Sequence, residues 1–234
     1  MTGIRGQMLC AWSGPMFMVV FGVGFWWIAG FVPPPSPSLS AADVAALYQQ
    51  HTTSIRLGLA IALGSCGLIV PFVGLISAQI RRIQGISPAF CYAQLGAGSA
   101  GVLVLIIPML VLEAVTYRPE RDPNLTQMLN DLGWLMFIMP FTLASIQGAV
   151  LAAAILLDEA KRPVFPRWVA YFNIWVALLF IPGAVAVFFK SGPFAWNSVF
   201  PFWIPLVVFG SWFLVMFVVL RNIVLKQHAD AQPA

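Results

Sequence analysis

The side chains best suited to chemistry lie near one end of the second and third apolar stretches. Glu113 precedes Tyr117 by one helical turn, and Arg56 lies at a comparable depth in the preceding stretch. An unpaired carboxylate in such an apolar segment would be costly, so we expect Glu113 to pair with Arg56. Flanking polar groups would extend this pair into one network. The predicted binding site consists of Tyr48, His51, Arg56, Glu113, Tyr117, Arg118, Arg121 and Asp131. The alternative is that these groups are interfacial ion pairs that only fix the loops.

Residue patterns of known catalytic and metal centres are absent from the sequence. His51 and His228 are the only histidines, and neither has the spacing of a haem, di-iron or copper ligand set. The chain has no Gly-x-Ser-x-Gly elbow and no P-loop. Three cysteines lie at or inside apolar stretches and are expected to pack as small apolar residues; they are Cys10, Cys66 and Cys91. We therefore predict no catalytic residues, no metal and no cofactor.

The elements that position these residues are helices in a membrane. The 234 residues are 60% hydrophobic and only 9% charged, and the mean hydropathy is +0.89. A span of about 30 Å of hydrocarbon needs about 20 apolar residues, and six such segments use nearly the whole chain. We predict an all-α polytopic bundle that forms a single domain. Its spans are expected near residues 12–32, 54–80, 89–116, 132–157, 168–189 and 200–224.

The distribution of basic residues predicts the orientation. Six crossings place both termini on one side. If that side is cytoplasmic, it holds Arg5, Arg81, Arg82, Lys161, Arg162, Arg167, Arg221 and Lys226, against Arg56, Arg118, Arg121 and Lys190 outside. This excess follows the positive-inside rule, and it predicts a plasma (inner) membrane protein with cytoplasmic N- and C-termini. Because the basic residues form no continuous stripe, we expect contact with lipids and not with nucleic acid.

The first apolar stretch has a second interpretation. Arg5 precedes it, and small residues near Ser38 and Ala41 resemble a signal-peptidase site. The apolar run is longer than a typical signal core and contains Trp26 and Trp27, so we interpret it as a true span.

The spans should pair as three hairpins with short extracytoplasmic helical extensions. Ser40 and Asp43 have the spacing of a helix N-cap with an acid in the first turn, which predicts a short helix before the second span. The segment from Pro123 to Asp131 predicts a similar extension before the fourth span.

Prolines and small residues predict how the spans pack. Five prolines interrupt spans and are expected to kink them, which would leave a cavity between the helices; they are Pro71, Pro108, Pro140, Pro182 and Pro205. Small residues predict close helix contacts at Ala93, Ala97 and Gly101 on the third span and at Gly67 and Gly74 on the second. The amides Gln79, Gln94, Gln147 and Asn173 are expected to bond one helix to another.

Three classes of function remain open from these observations. The first is a non-catalytic accessory or assembly subunit, or a binder of a hydrophobic ligand. The apolar stretches contain few ionisable or metal-ligating residues, and the chain has many aromatic residues. The alternative is a channel or facilitator for a small uncharged solute. The third is a membrane enzyme with a site at the rim around Glu113 and His51. Expected partners are membrane lipids, a hydrophobic ligand, another membrane protein or a second copy of the chain.

Overall fold

A computed structural model, which describes residues 2–230, shows a bundle of six long helices. Each is long and apolar enough to cross a membrane. The spans are Gly3–Ile28, Thr52–Ile80, Ala89–Tyr117, Pro123–Leu156, Arg167–Phe188 and Val199–Ala229. The predicted all-α six-helix fold is therefore confirmed.

Each of the six spans is built from more than one helical segment. The α-helices are α1 Thr2–Gly22, α2 Ala41–Gln50, α3 Thr52–Ser65, α4 Ile69–Ile80, α5 Ala89–Gly101, α6 Leu103–Tyr117, α7 Pro123–Ile138, α8 Thr142–Leu156, α9 Arg167–Leu179 and α10 Ile204–Asp230. Two π-helices, Val23–Ile28 and Val199–Trp203, and two 3₁₀ segments, Cys66–Leu68 and Ile181–Phe188, complete the spans. Within the described range, α2 is the one separate short helix, and it lies between the first two spans.

Prolines lie beside most of these breaks, as expected. The irregular segments are Cys66–Leu68 before Pro71, residues 139–141 around Pro140, Ile181–Phe188 containing Pro182, and Val199–Trp203 before Pro205. A proline cannot donate to the carbonyl four residues earlier, so the helix changes its hydrogen-bond pattern there. Pro108 is the exception, because it lies inside α6.

The spans close into a ring in the order of the sequence. Each span packs against the next, and α10 returns to pack against α1. The N- and C-terminal ends of the described chain therefore lie at one end of the bundle, which we call the terminal side. The opposite end, which we call the cap side, carries α2 and the loops that join the members of each hairpin.

Aromatic rings fill the middle of this ring of helices. From the cap side, Tyr48, Phe31, Phe25, Phe21, Phe17, Phe213 and Phe72 follow one another with centroids 5.2–6.2 Å apart. We call this series the aromatic column. It connects the two hydrophobic clusters of the bundle. Trp134 and Phe137 pack against Phe25 at 6.0 and 5.3 Å.

The column occupies the space in which the prolines predicted a cavity. Two concavities of the described chain lie on the outside of the bundle. One, of about 420 Å³, is lined by Trp12, Pro15, Met16, Val19 and Val20. The other, of about 220 Å³, is lined by Gln84, Gly85, Ile86, Ser87, Phe90, Leu157 and Glu159 on the terminal side. The kinks are present, but large rings fill the wedges between the helices.

Close helix contacts occur at glycines other than those predicted. Cβ atoms built at Gly67, Gly74 and Gly101 would meet nothing within 4 Å. A Cβ at Gly24 would lie 2.6 Å from the carbonyl oxygen of Gly58, so the backbones of the first two spans touch there. The predicted glycines are therefore not points of close contact, although Ala97 of the third-span stripe is buried.

Candidate functional site

The polar groups of the cap side are positioned first by α2. Ser40 caps this helix, because its Oγ accepts a hydrogen bond from the Asp43 N–H at 3.2 Å and donates to Asp43 Oδ2 at 2.6 Å. The buried face of α2 consists of Val44, Ala45 and Tyr48, and it packs on α7. The predicted cap extension is thus present, and it carries Tyr48 into the protein.

Tyr48 begins a buried chain of polar contacts. Its hydroxyl donates to Asn130 Oδ1 at 2.9 Å, and Asn130 Nδ2 donates to Asp131 Oδ1 at 3.1 Å. Lys190, in the loop after the fifth span, adds a positive charge that acts on Asp131. The indole of Trp134 lies beside the Tyr48 side chain in the same cluster, and its buried Nε1 makes no hydrogen bond of ordinary geometry among the described residues. Tyr48, Asn130 and Trp134 are buried in this cluster, and Asp131 is half-buried.

Burial keeps the Tyr48 hydroxyl protonated. Loss of hydration disfavours the phenolate, and the negative charge of Asp131 disfavours it further, so the pKa of Tyr48 lies well above its ordinary value of 10.0. A protonated hydroxyl is the form that can donate to Asn130. Tyr48 is therefore a hydrogen-bond donor at every physiological pH.

Replacing Tyr48 by phenylalanine should lower the free energy of unfolding by about 1–3 kcal/mol, because Asn130 Oδ1 loses its donor. The deficit relative to the wild type should shrink above pH 10. In the unfolded chain the Tyr48 hydroxyl ionises near that pH, whereas in the folded protein it stays protonated, so the wild type alone loses this stabilisation as pH rises. Reversible unfolding in bicelles at pH 7–11 measures both effects.

Tyr117 provides the matched control for this substitution. It is an exposed tyrosine on the same side of the bundle. Tyr117→Phe should leave the free energy of unfolding within about 0.5 kcal/mol of wild type. Equal effects of the two substitutions, or a Tyr48 deficit that widens above pH 10, would contradict the donor role.

Arg56 contacts main-chain carbonyls and not the Glu113 carboxylate. Its Nε lies 3.2 Å from the Thr116 carbonyl oxygen, Nη2 donates to the same oxygen, and Nη2 lies 3.3 Å from the Tyr117 carbonyl oxygen. These carbonyls end α6 and have no acceptor role within the helix, so a guanidinium stabilises them. Glu113 interacts with the Arg56 charge at longer range, without a nitrogen–oxygen contact of 4.0 Å or less among the described residues. The direct pair expected from the sequence is absent.

The other predicted site residues lie apart from the buried cluster. His51 is exposed at the C-terminus of α2. Arg121 donates to the Ala114 carbonyl oxygen at 3.1 Å, and Tyr117 and Arg118 are exposed. The predicted network therefore divides in two. Tyr48 and Asp131 belong to the buried cluster, while Arg56, Glu113 and Arg121 surround the end of α6.

The cap side also contains residues that the sequence pattern did not assign to the site. Trp196 Nε1 donates to the Pro35 carbonyl oxygen at 2.8 Å, and Ser38 Oγ donates to the Lys190 carbonyl oxygen at 2.7 Å. Gln127 Nε2 donates to the Leu39 carbonyl oxygen at 2.9 Å. These bonds join loops distant in the sequence, and no local pattern predicts them. Asn130 could have been assigned from the sequence, because it precedes Trp134 by one helical turn and so shares a face of α7 with it.

Three of the four predicted amides, Gln79, Gln94 and Asn173, join helices, whereas Gln147 Nε2 has no partner among the described residues. Gln79 donates to Gln7 Oε1 at 3.2 Å and accepts from Gln227 Nε2 at 2.5 Å, which connects the first, second and sixth spans. Asn173 Oδ1 accepts from Trp212 Nε1 at 2.9 Å inside the bundle. These contacts hold helices together.

The chemistry available to this arrangement is hydrogen bonding and apolar contact. Within residues 2–230, no group of three or more His, Cys, Asp or Glu side chains is placed to hold a metal ion. The fold defines the chain as a multi-pass helical membrane protein. Comparison with protein-family models, with curated proteins and with solved structures found no match. The function must therefore be inferred from the geometry of this chain alone.

Proposed function

We propose that this protein is a non-catalytic accessory subunit that joins a membrane protein assembly. The observation that carries the proposal is the position of Trp175 on α9. Its side chain is 64% exposed, and it lies about 12 Å along the helix from Arg167, within a hydrocarbon core of about 30 Å. Tryptophan is stabilised at membrane interfaces, where its N–H finds water or head groups, and not at this depth.

The indole N–H of Trp175 needs an acceptor that residues 2–230 do not supply. No hydrogen bond of Trp175 occurs within the described residues. Lipid tails offer no acceptor, so an exposed N–H at this depth is unsatisfied until another molecule supplies one. A neighbouring transmembrane helix with a polar side chain or a free carbonyl would do so.

Further aromatic residues share the exposed face of α9 with Trp175. Trp168, Tyr171 and Leu178 are also exposed and lie on the same side of the helix. We call these four residues the α9 face. Tryptophan and tyrosine are enriched in protein interfaces and among the residues that contribute most to binding. The face therefore suits a protein partner, and we assign it to a transmembrane helix of another subunit.

A hydrophobic ligand is the second candidate, and the groove on the first span favours it. This concavity of about 420 Å³ has only apolar lining, with Trp12 and Met16 at its surface. An acyl or isoprenoid chain would satisfy it without any polar contact.

The remaining candidates have less support. The aromatic column fills the centre of the bundle, which disfavours a solute channel through one copy of the chain. An enzyme at the rim would need His51 and Glu113 to act together. His51 is exposed at the end of α2, whereas Glu113 lies on α6, so the two side chains belong to separate elements. For the location we infer a plasma (inner) membrane with the terminal side in the cytoplasm, on the strength of the basic residues there.

Photo-crosslinking from position 178 tests the α9 face. A benzoylphenylalanine at Leu178 in native membranes should give an adduct with one defined membrane protein. Trp175→Phe in the same background removes the N–H together with the five-membered ring that carries it, and it should lower the adduct yield by about threefold to tenfold. Immunoblotting and mass spectrometry of the adduct measure both results.

Two matched variants control this experiment. The same probe at Leu110, which is exposed on α6, should give lipid adducts without that protein. Trp27→Phe changes a tryptophan that is 85% exposed near a span end, and it should leave the adduct at Leu178 unchanged. Equal lipid labelling at both probe positions would contradict the subunit proposal, as would an adduct formed only with a second copy of this chain.

A further inference from the structure

We propose that the bundle binds a water molecule between α4, α5 and α8, held by the side-chain amides of Gln94 and Gln147. The site is separate from the α9 face and from the cap side. It is defined by two buried donors that have no partner in the described chain.

Gln94 supplies the first donor. Its side chain is fully buried, with 0% exposure. The carbonyl oxygen Oε1 accepts a hydrogen bond from the Ser77 hydroxyl, whereas the buried Nε2 has no partner among the described residues. A buried N–H without an acceptor is costly, and more so where no bulk water is available.

Gln147 supplies the second donor from the opposite helix. Its Nε2 is also buried and lacks a partner in the part of the chain that the structure describes. The amide occupies the space beside Gly98, where an added Cβ would lie only 2.7 Å from Nε2. Gly98 follows Gln94 by one helical turn, so both residues are on the same face of α5. The two amides therefore point into one seam between α5 and α8.

The nearest concavity to this seam lies on the terminal side, one helical turn from Gln94 along α5. The concavity of about 220 Å³ lies there, between the loop around Gly85 and the end of α8. Phe90 lines it and precedes Gln94 by one turn on α5. Buried waters typically make about three hydrogen bonds to polar groups that lack partners. The two amides can each donate to one water, and Ser77 Oγ, whose hydrogen is donated to Gln94 Oε1, can accept from it, which gives that number.

The chemistry of the site defines its occupant as a neutral acceptor oxygen. Water and the carbonyl group of a lipid-soluble molecule share this chemistry. The adjoining concavity is partly polar and faces the aqueous side, which favours water.

Nuclear magnetic resonance of the full chain in nanodiscs tests the site. In protein labelled with ¹⁵N-glutamine, the side-chain amide protons of Gln94 and Gln147 should both show cross-peaks to one bound water molecule. The two resonances are assigned by Gln94→Met and Gln147→Met. Cross-peaks to aliphatic ligand protons would overturn the water assignment. Direct contact between the two amides without water would overturn the site itself.

Thermal unfolding provides a second readout. Gln147→Met keeps the side-chain length but removes one donor, so Gln94 Nε2 loses its bridging water, and the melting temperature should fall by a few degrees. Gln50→Met, at an exposed position on α2, should have no effect. An unchanged or raised melting temperature for Gln147→Met would overturn the proposal, because removing an unsatisfied amide stabilises a protein. If Gln147→Met does not fold, the amide-to-water cross-peaks of the wild-type protein alone test the proposal.

Discussion

Replacing Trp134 by alanine is expected to lower the free energy of unfolding by about 3–5 kcal/mol, the upper range for truncation of one buried side chain. Trp134 is fully buried and packs against Phe25, Phe31 and Phe137 at centroid distances of 5.4–6.0 Å. In a membrane, lipid tails are as apolar as the protein interior, so the loss comes from the cavity and the missing van der Waals contacts. Unfolding by SDS titration or steric trapping measures it.

Two variants make this test specific. Trp27→Ala removes the same side chain from a position that is 85% exposed, and it should change stability by no more than about 0.5 kcal/mol. Trp134→Phe should cost much less than Trp134→Ala, because a phenyl ring keeps most of the packing against Phe25, Phe31 and Phe137. A cost for Trp134→Ala as small as that of Trp27→Ala would show that the centre of the bundle is not packed around this ring.

Substituting leucine for Gly58 is expected to cost about 3 kcal/mol, the upper end for overpacking. A Cβ at this position would overlap the amide nitrogen of Ala29 and the carbonyl oxygen of Gly24. These two atoms form the hydrogen bond of 2.9 Å that ends the π-helix of the first span. Since both neighbours are backbone atoms, neither can move aside without displacing the first span. Unfolding free energy in bicelles measures the effect.

Gly64 is the matched control for this substitution. It belongs to the same helix α3, but a Cβ there would meet nothing within 4 Å. Gly64→Leu adds an apolar side chain on an exposed face, and we expect its stability to equal or exceed that of wild type. Equal losses for Gly58→Leu and Gly64→Leu would mean that the first two spans do not touch at Gly58.

Local features of the fold could be predicted from the sequence. Apolar length defines the six spans, because the membrane sets a minimum number of apolar residues. Ser40 and Asp43 form the predicted N-cap, since capping depends on residues three positions apart. The ends of spans were less accurate. The fourth begins at Pro123 and not near residue 132, because the predicted extension continues directly into it.

The contacts between spans could not be predicted, because they depend on which face each helix turns inward. Arg56 has the right depth to meet Glu113, yet the rotation of α3 against α6 places its guanidinium on the Thr116 carbonyl oxygen. The prolines indicate kinks but not what fills the wedges, so the aromatic column was not expected. The spacing of glycines alone also failed to predict where the spans come into close contact. The contact of Gly24 with Gly58 depends on the crossing of two separate spans.

A high-resolution structure of the protein extracted with its native membrane neighbours would test the central claim most directly. We predict a second chain's transmembrane helix against the α9 face, with an acceptor oxygen about 3 Å from Trp175 Nε1, and an interior closed by the aromatic column. Lipid alone along that face, together with a water-filled path between Phe25 and Phe213, would contradict the account.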